Sequence, residues 1–91
     1  MSHKNSGPKV EMYSKMFCPF CIRAKALLES KGVQIIDIPA ANDKARRAEM
    51  NQRSGGRNTF PQIFINGVHV GGSDDLAALE RAGKLDAMLK V

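Results

Sequence analysis

The chain has no tryptophan, one tyrosine and only two cysteines, and aromatic residues make up 5% of its 91 positions. A protein that binds single-stranded nucleic acid by stacking needs more aromatic faces than that. Its 14 basic residues are scattered and interleaved with 9 acidic ones, so the net charge of +5 reads as a solvated basic surface and no nucleic-acid partner is expected. Such a field still concentrates small anionic substrates near a cleft. No apolar run approaches the roughly 20 residues of a membrane-spanning helix. The polar start Met1-Ser2-His3-Lys4-Asn5-Ser6 lacks the apolar stretch of a secretory signal, so no membrane partner and a cytoplasmic location are expected. With 4 prolines and 8 glycines there is no low-complexity excess, and 91 residues suffice for one compact domain. Residues 1–8 read as a polar tail and 9–91 as that domain.

What is present is a pair of cysteines, Cys18 and Cys21, inside Met16-Phe17-Cys18-Pro19-Phe20-Cys21-Ile22-Arg23. A structural zinc site takes four ligands, and beyond this pair only His3 and His69 remain as nitrogen ligands, so no metal is expected. His69, on a hairpin strand with no ligand paired to it, reads as an ordinary side chain, and the methionines read as core filler. A disulfide closing so short a loop would restrain the unfolded chain little and would not persist in a reducing compartment. Redox chemistry is the reading left.

The flanks supply a mechanism. Lys9–Ser14 alternates as a strand does, and the stretch from Ile22 to Gly32 is rich in helix formers, with Gly32 as a left-handed stop. Pro19 then falls in the first helical turn, where its missing N–H costs nothing. Cys18 is thereby placed at a helix N-terminus, where unpaired N–H groups and the dipole favour its thiolate, with Lys15 and Arg23 as supporting cations. Cys21, one turn inside and shielded, is expected to keep an ordinary thiol pKa and to act second. Cys18 is read as the nucleophile and Cys21 as the resolving thiol.

Val33–Pro39 is β-branched and bounded by Gly and Pro, a second strand completing a βαβ unit. Residues 42–53 form a thinly apolar surface helix capped by Asn42 or Asp43. Gln62–Asn66 and Val68–Val70 flank Asn66-Gly67, a two-residue hairpin signal. A helix over Ser73–Gly83 and a short one within Lys84–Lys90 follow, giving the order βαβαββαα, an α/β chain with a four-stranded mixed sheet.

A CxxC at a helix start in a βαβ unit is a thioredoxin-like redox motif. Cys18-Pro19-Phe20-Cys21, Thr59-Phe60-Pro61 before a strand and Gly71-Gly72-Ser73-Asp74-Asp75 before a helix together resemble a glutaredoxin of the small bacterial dithiol class. A thioredoxin would instead carry Trp-Cys-Gly-Pro-Cys. The resemblance spans Lys9 to Lys90 and implies a thioredoxin fold and a glutathione-dependent thiol-disulfide oxidoreductase, with glutathione as reductant and co-substrate. It implies a cis Pro61 facing the disulfide, with the Phe60 backbone pairing the cysteine of bound glutathione. It assigns the γ-glutamyl end to Gly72, Ser73 and Asp74, and the glycine carboxylate to Lys15 and a basic residue near Arg57. Thr59 and the aromatic wall of Phe20 complete the implied glutathione site. The glycines allow close approach, the helix N-terminus offers N–H groups to a carboxylate, and Asp74 suits an ammonium. Ser73 and Asp74 can equally be read as caps of the third helix.

Phe20 stands where the family more often has Tyr, Ser73 where relatives often have Cys, and Ser54–Thr59 is one residue longer than the family pattern. Expected partners are glutathione and disulfide-bonded or glutathionylated proteins, acted on by a monomer. Two rival functions follow from the same motif. One is an iron-sulfur carrier in which Cys18 and glutathione ligate a cluster across a dimer, against which Pro19 speaks. The other is a reductant supplied by thioredoxin reductase.

Overall fold

The computed structural model describes residues 7–90, so residues 1–6 of the expected polar tail, and Val91, lie outside the described residues. Its elements are β1 (Val10–Ser14), α1 (Pro19–Ser30), β2 (Ile35–Pro39), α2 (Lys44–Arg53), β3 (Gln62–Ile65), β4 (Val68–Gly71), α3 (Ser73–Arg81) and α4 (Leu85–Leu89). The expected order βαβαββαα is the one observed. Strand β2 begins at Ile35 rather than Val33, because Val33 is used to pack against the core from the turn after α1.

The four strands lie in the order β2-β1-β3-β4. β1 pairs parallel with β2, the helical crossover α1 making that possible, and antiparallel with β3. The β3–β4 hairpin turns at Asn66 (φ 52°) and Gly67 (φ 81°), two successive left-handed residues, as a tight hairpin of right-handed twist demands.

The strands' period-two alternation separates two cores. On one face Val10, Met12, Ile63 and Ile65 pack with Ala24 and Leu28 of α1, Leu76 of α3 and Leu85 and Leu89 of α4. On the other, Tyr13 and Phe64 lie under α2 with Ala40 and Met50. Met50 is the one buried side chain of α2, consistent with its thin apolar stripe. Lys31, just past α1, ties this scaffold together by ion pairs of 2.9 Å to Glu80 of α3 and 2.7 Å to Asp86 of α4. Met12 and Met50 are core residues as expected, but Met16 is exposed, since it sits in the turn before α1 with nothing packed over it.

Candidate active site

Cys18 is the N-cap of α1, with extended backbone, and Pro19 opens the helix, as the position of the proline predicted. The Cys21 N–H donates to Cys18 Sγ at 3.2 Å, and the Ile22 N–H donates to the Cys18 carbonyl at 3.0 Å. The Cys18 sulfur thus takes the capping role that a serine or aspartate oxygen usually fills. The two thiols are unbridged, and both are buried, at 2% and 5% exposure.

The expectation of an ordinary pKa for Cys21 is corrected. Burial first, then the hydrogen bond to Cys18 and, to a lesser extent, the charge of Cys18, push the Cys21 thiol up to about 12, opposed by a hydrogen bond from the Lys15 backbone and by the Lys15 charge. The helix-start argument placed the two sulfurs correctly and underestimated the cost of ionising a thiol buried one turn inside α1. Arg23 lies over the ring of Phe20 at 5.7 Å.

Beside the thiols opens a cleft of about 650 Å³. Lys15, Phe20, Arg57, Thr59, Phe60, Pro61, Gly72, Ser73 and Asp74 all line it. Residues far apart in sequence are therefore gathered on one surface by three loops: the turn before α1, the loop before β3, and the β4–α3 junction. The Phe60–Pro61 peptide is cis. Gly72 is close enough to the Pro61 carbonyl that an added Cβ would lie 3.3 Å from it, so a side chain there would press on the loop before β3. At Gly71, φ is +117° and a Cβ would meet the Asp75 carboxylate at 2.2 Å.

The capping reading of Ser73 and Asp74 is also corrected. Gly72 is the N-cap of α3, and it is Asp75 whose carboxylate accepts the Gly72 N–H at 2.9 Å. Ser73 and Asp74 stand in the first turn and on the cleft wall. Arg57 reaches the same carboxylate, 3.5 Å from Asp75 Oδ2, so it bridges the two loops. The loop that carries Arg57 is closed by buried Ser54, whose hydroxyl accepts the Arg57 N–H at 3.1 Å. Within it Gly55 and Gly56 are both at positive φ.

The sequence reading missed Asn42, Arg47, Asn58 and Asp75, which also line the cleft. Arg47 lies over the Phe60 ring at 5.9 Å and Lys15 at 6.0 Å. With Arg57 they place three cations around one concave surface. The signal is the run Lys44-Ala45-Arg46-Arg47 in α2, on a helix whose thin apolar stripe marks it only as a surface helix. Among the described residues no group of three or more His, Cys, Asp and Glu side chains is placed to hold a metal ion, and no helix is long and apolar enough to cross a membrane.

A family model for glutaredoxin matches residues 10–70. Glutaredoxin 3 of Escherichia coli is 56% identical over 81 residues, covering 89% of this chain and 96% of its own. The solution structure of glutaredoxin from Brucella melitensis is 56% identical and superposes with a TM-score of 0.80, over 96% of this chain and 94% of that one. A buckwheat glutaredoxin–glutathione complex superposes at 0.82 with 32% identity, over 91% of this chain and 77% of the other. The chain belongs to the glutaredoxin family. It falls in the small bacterial dithiol class and is a glutathione-dependent thiol-disulfide oxidoreductase with a thioredoxin fold.

Proposed function

We propose that Cys18 is the attacking thiol, that Cys21 resolves, and that the cleft takes glutathione. The observation that carries this is the convergence of the three loops beside the α1 N-cap, each bringing the group its part of a γ-glutamyl peptide would need. Asp74 faces the ammonium, and the first turn of α3 at Ser73, with Gly72 admitting the backbone, faces the α-carboxylate. Thr59-Phe60-Pro61 offers an extended backbone edge, Phe20 an apolar wall, and Lys15 and Arg57, joined by Arg47, the cations for the glycine carboxylate. A likeness to the buckwheat protein solved with glutathione supports the choice of ligand.

In deglutathionylation the Cys18 thiolate attacks the glutathione sulfur of a mixed disulfide, and the client sulfur leaves and takes a proton. A second glutathione thiolate then attacks the Cys18-bound glutathione, giving oxidised glutathione and restoring Cys18. In reduction of a protein disulfide, Cys18 bonds to one client sulfur and the other leaves as a thiol. Cys21 then attacks Cys18 Sγ, freeing the client and leaving a Cys18–Cys21 disulfide for two glutathiones to reduce. The environment of Cys21 supports this order. Burial is the largest influence that keeps it protonated, and the charge of Cys18, a smaller one, is removed once Cys18 is neutral in a mixed disulfide. Cys21 is thereby easier to ionise at the step that uses it.

Protein clients are supported by the rim around Cys18. Met16, Phe17, Phe20 and Ile22 are four of the six exposed large hydrophobics among the described residues. Phe17 is 91% exposed and has φ 54°, a left-handed backbone that costs a bulky residue about 1–3 kcal/mol. A monomer working in the cytoplasm completes the proposal. The test is turnover of a glutathionylated peptide with glutathione, glutathione reductase and NADPH. Turnover supported only by thioredoxin reductase, or a cluster absorbance after anaerobic purification, would favour one of the two rival readings.

A further inference from the structure

One buried polar chain on the α2 face of the sheet is not used by the mechanism above. Gln62, at 0% exposure, follows Pro61 directly and by strand alternation lies with Phe64 on the face of the sheet that carries Tyr13. Its Nε2 donates to both the carbonyl oxygen and the hydroxyl of Thr59, each at 3.1 Å. Its Oε1 therefore faces away from Thr59, and there it meets His69 Nε2 at 2.7 Å. A carbonyl oxygen only accepts, so the hydrogen must sit on His69 Nε2. The alternative amide orientation would set Oε1 against the Thr59 carbonyl, acceptor to acceptor, and would require the other imidazole tautomer. His69 tautomer and Gln62 orientation are thus locked to each other. The imidazole is held in place by its cross-strand neighbour Phe64, with ring centroids 5.0 Å apart. Burial, with the Arg57 cation outweighing the Asp75 carboxylate, keeps His69 below the ordinary imidazole range and so neutral at pH 7.

We propose that His69, through Gln62, is a positioning residue for glutathione: the pair orients Thr59 and so fixes the backbone edge at Phe60 that receives the tripeptide. His69 is not itself part of the cleft wall, and it lies on β4, the strand that leads into Gly71 and Gly72. The hairpin and the loop before β3 are thereby set by one hydrogen-bonded chain. This inference rests on the glutathione reading of the cleft.

The test is steady-state kinetics on a glutathionylated peptide at pH 7, with thermal midpoints measured alongside. His69→Phe keeps a ring against Phe64 and removes the donor. It is expected to raise KM roughly fivefold, the scale of one hydrogen bond, with kcat unchanged. His69→Gln, whose Nε2 reaches the same place, is expected to restore KM. In a Gln62→Met background, His69→Phe is expected to add nothing further, because the chain is already cut. An unchanged KM with a lowered midpoint, or additive effects in the double variant, would overturn the relay. If Gln62→Met does not fold, the His69 pair of variants decides alone. Asp74→Ala run in parallel separates the two ideas. If it raises KM while His69→Phe does not, the relay falls and the cleft reading stands, and if neither moves KM, both fall.

Discussion

The start of α1 and the cleft beside it solve different problems with different materials. At the helix start the reactive atoms are buried, and their properties come from backbone: an N-cap sulfur accepting an N–H at 3.2 Å, a proline in the first turn, and desolvation of Cys21. In the cleft the groups proposed to hold glutathione are side-chain charges, Lys15 and Arg57 on loops, Arg47 on α2 and Asp74 in the first turn of α3. Buried, backbone-set chemistry changes sharply when a sulfur is removed and little with salt. Recognition by exposed charge changes gradually and is screened. The division predicts that substitutions at the helix start act on which reaction occurs, and substitutions in the cleft act on how much glutathione is needed.

The largest effects belong to the sulfurs. Cys18→Ser is expected to abolish both activities, whereas Cys21→Ser keeps deglutathionylation and loses most reduction of protein disulfides. The difference arises because release of a bulky mixed disulfide depends on a second thiol held at high effective concentration. Parallel assays on a glutathionylated peptide and a disulfide-bonded protein measure it. A Cys21→Ser protein inactive on both would remove the boundary between chemistry and recognition drawn here.

Next comes Asp74→Ala, expected to raise KM for a glutathionylated substrate by roughly tenfold, the scale of one charge-assisted pair. The fold should be almost untouched, because Asp75 rather than Asp74 caps α3. Circular dichroism melts beside the kinetics test both halves of that statement. Arg47→Ala is a smaller perturbation. Its guanidinium is exposed and 5.9 Å from the Phe60 ring, so a KM rise of about two- to threefold is expected, fading as ionic strength rises. An effect that persists in high salt would mean that Arg47 packs rather than attracts.

The two regions differed in legibility as well. The cysteine motif, Pro19 and the helix formers after it are contiguous, so local rules sufficed to place Cys18 at the N-cap. Asn66-Gly67 likewise encoded its own hairpin. The cleft is assembled from segments far apart in the chain, and there the resemblance named nine wall residues while geometry added Arg47 and Asp75. A run of basic residues on a thinly apolar helix looks the same whether it faces bulk water or a cleft. Nor could spacing assign the cap of α3, since Ser73, Asp74 and Asp75 are all capable and only the turn at Gly71 and Gly72 selects the last. Burial of Cys21 depends on packing from α1, which a motif does not display.

That burial gives a prediction on stability rather than on turnover. The folded-state pKa of Cys21 is raised, so its contribution to stability is complete below about pH 9 and is lost as pH rises from about 9 to 12. Tyr13, also raised by burial, adds to the alkaline loss. Urea unfolding of the reduced protein at pH 8 and 10.5, compared with Cys21→Ser, isolates the thiol. The wild-type protein should lose more stability across that interval than the variant.

The most direct test of unequal sulfurs is competitive alkylation of the reduced protein at about pH 6, with the modified residue located by mass mapping. A thiol pushed up to about 12 by burial stays protonated there and so is a poor nucleophile. Modification at Cys18 with Cys21 left free is the predicted result. Equal labelling, or preference for Cys21, would contradict it.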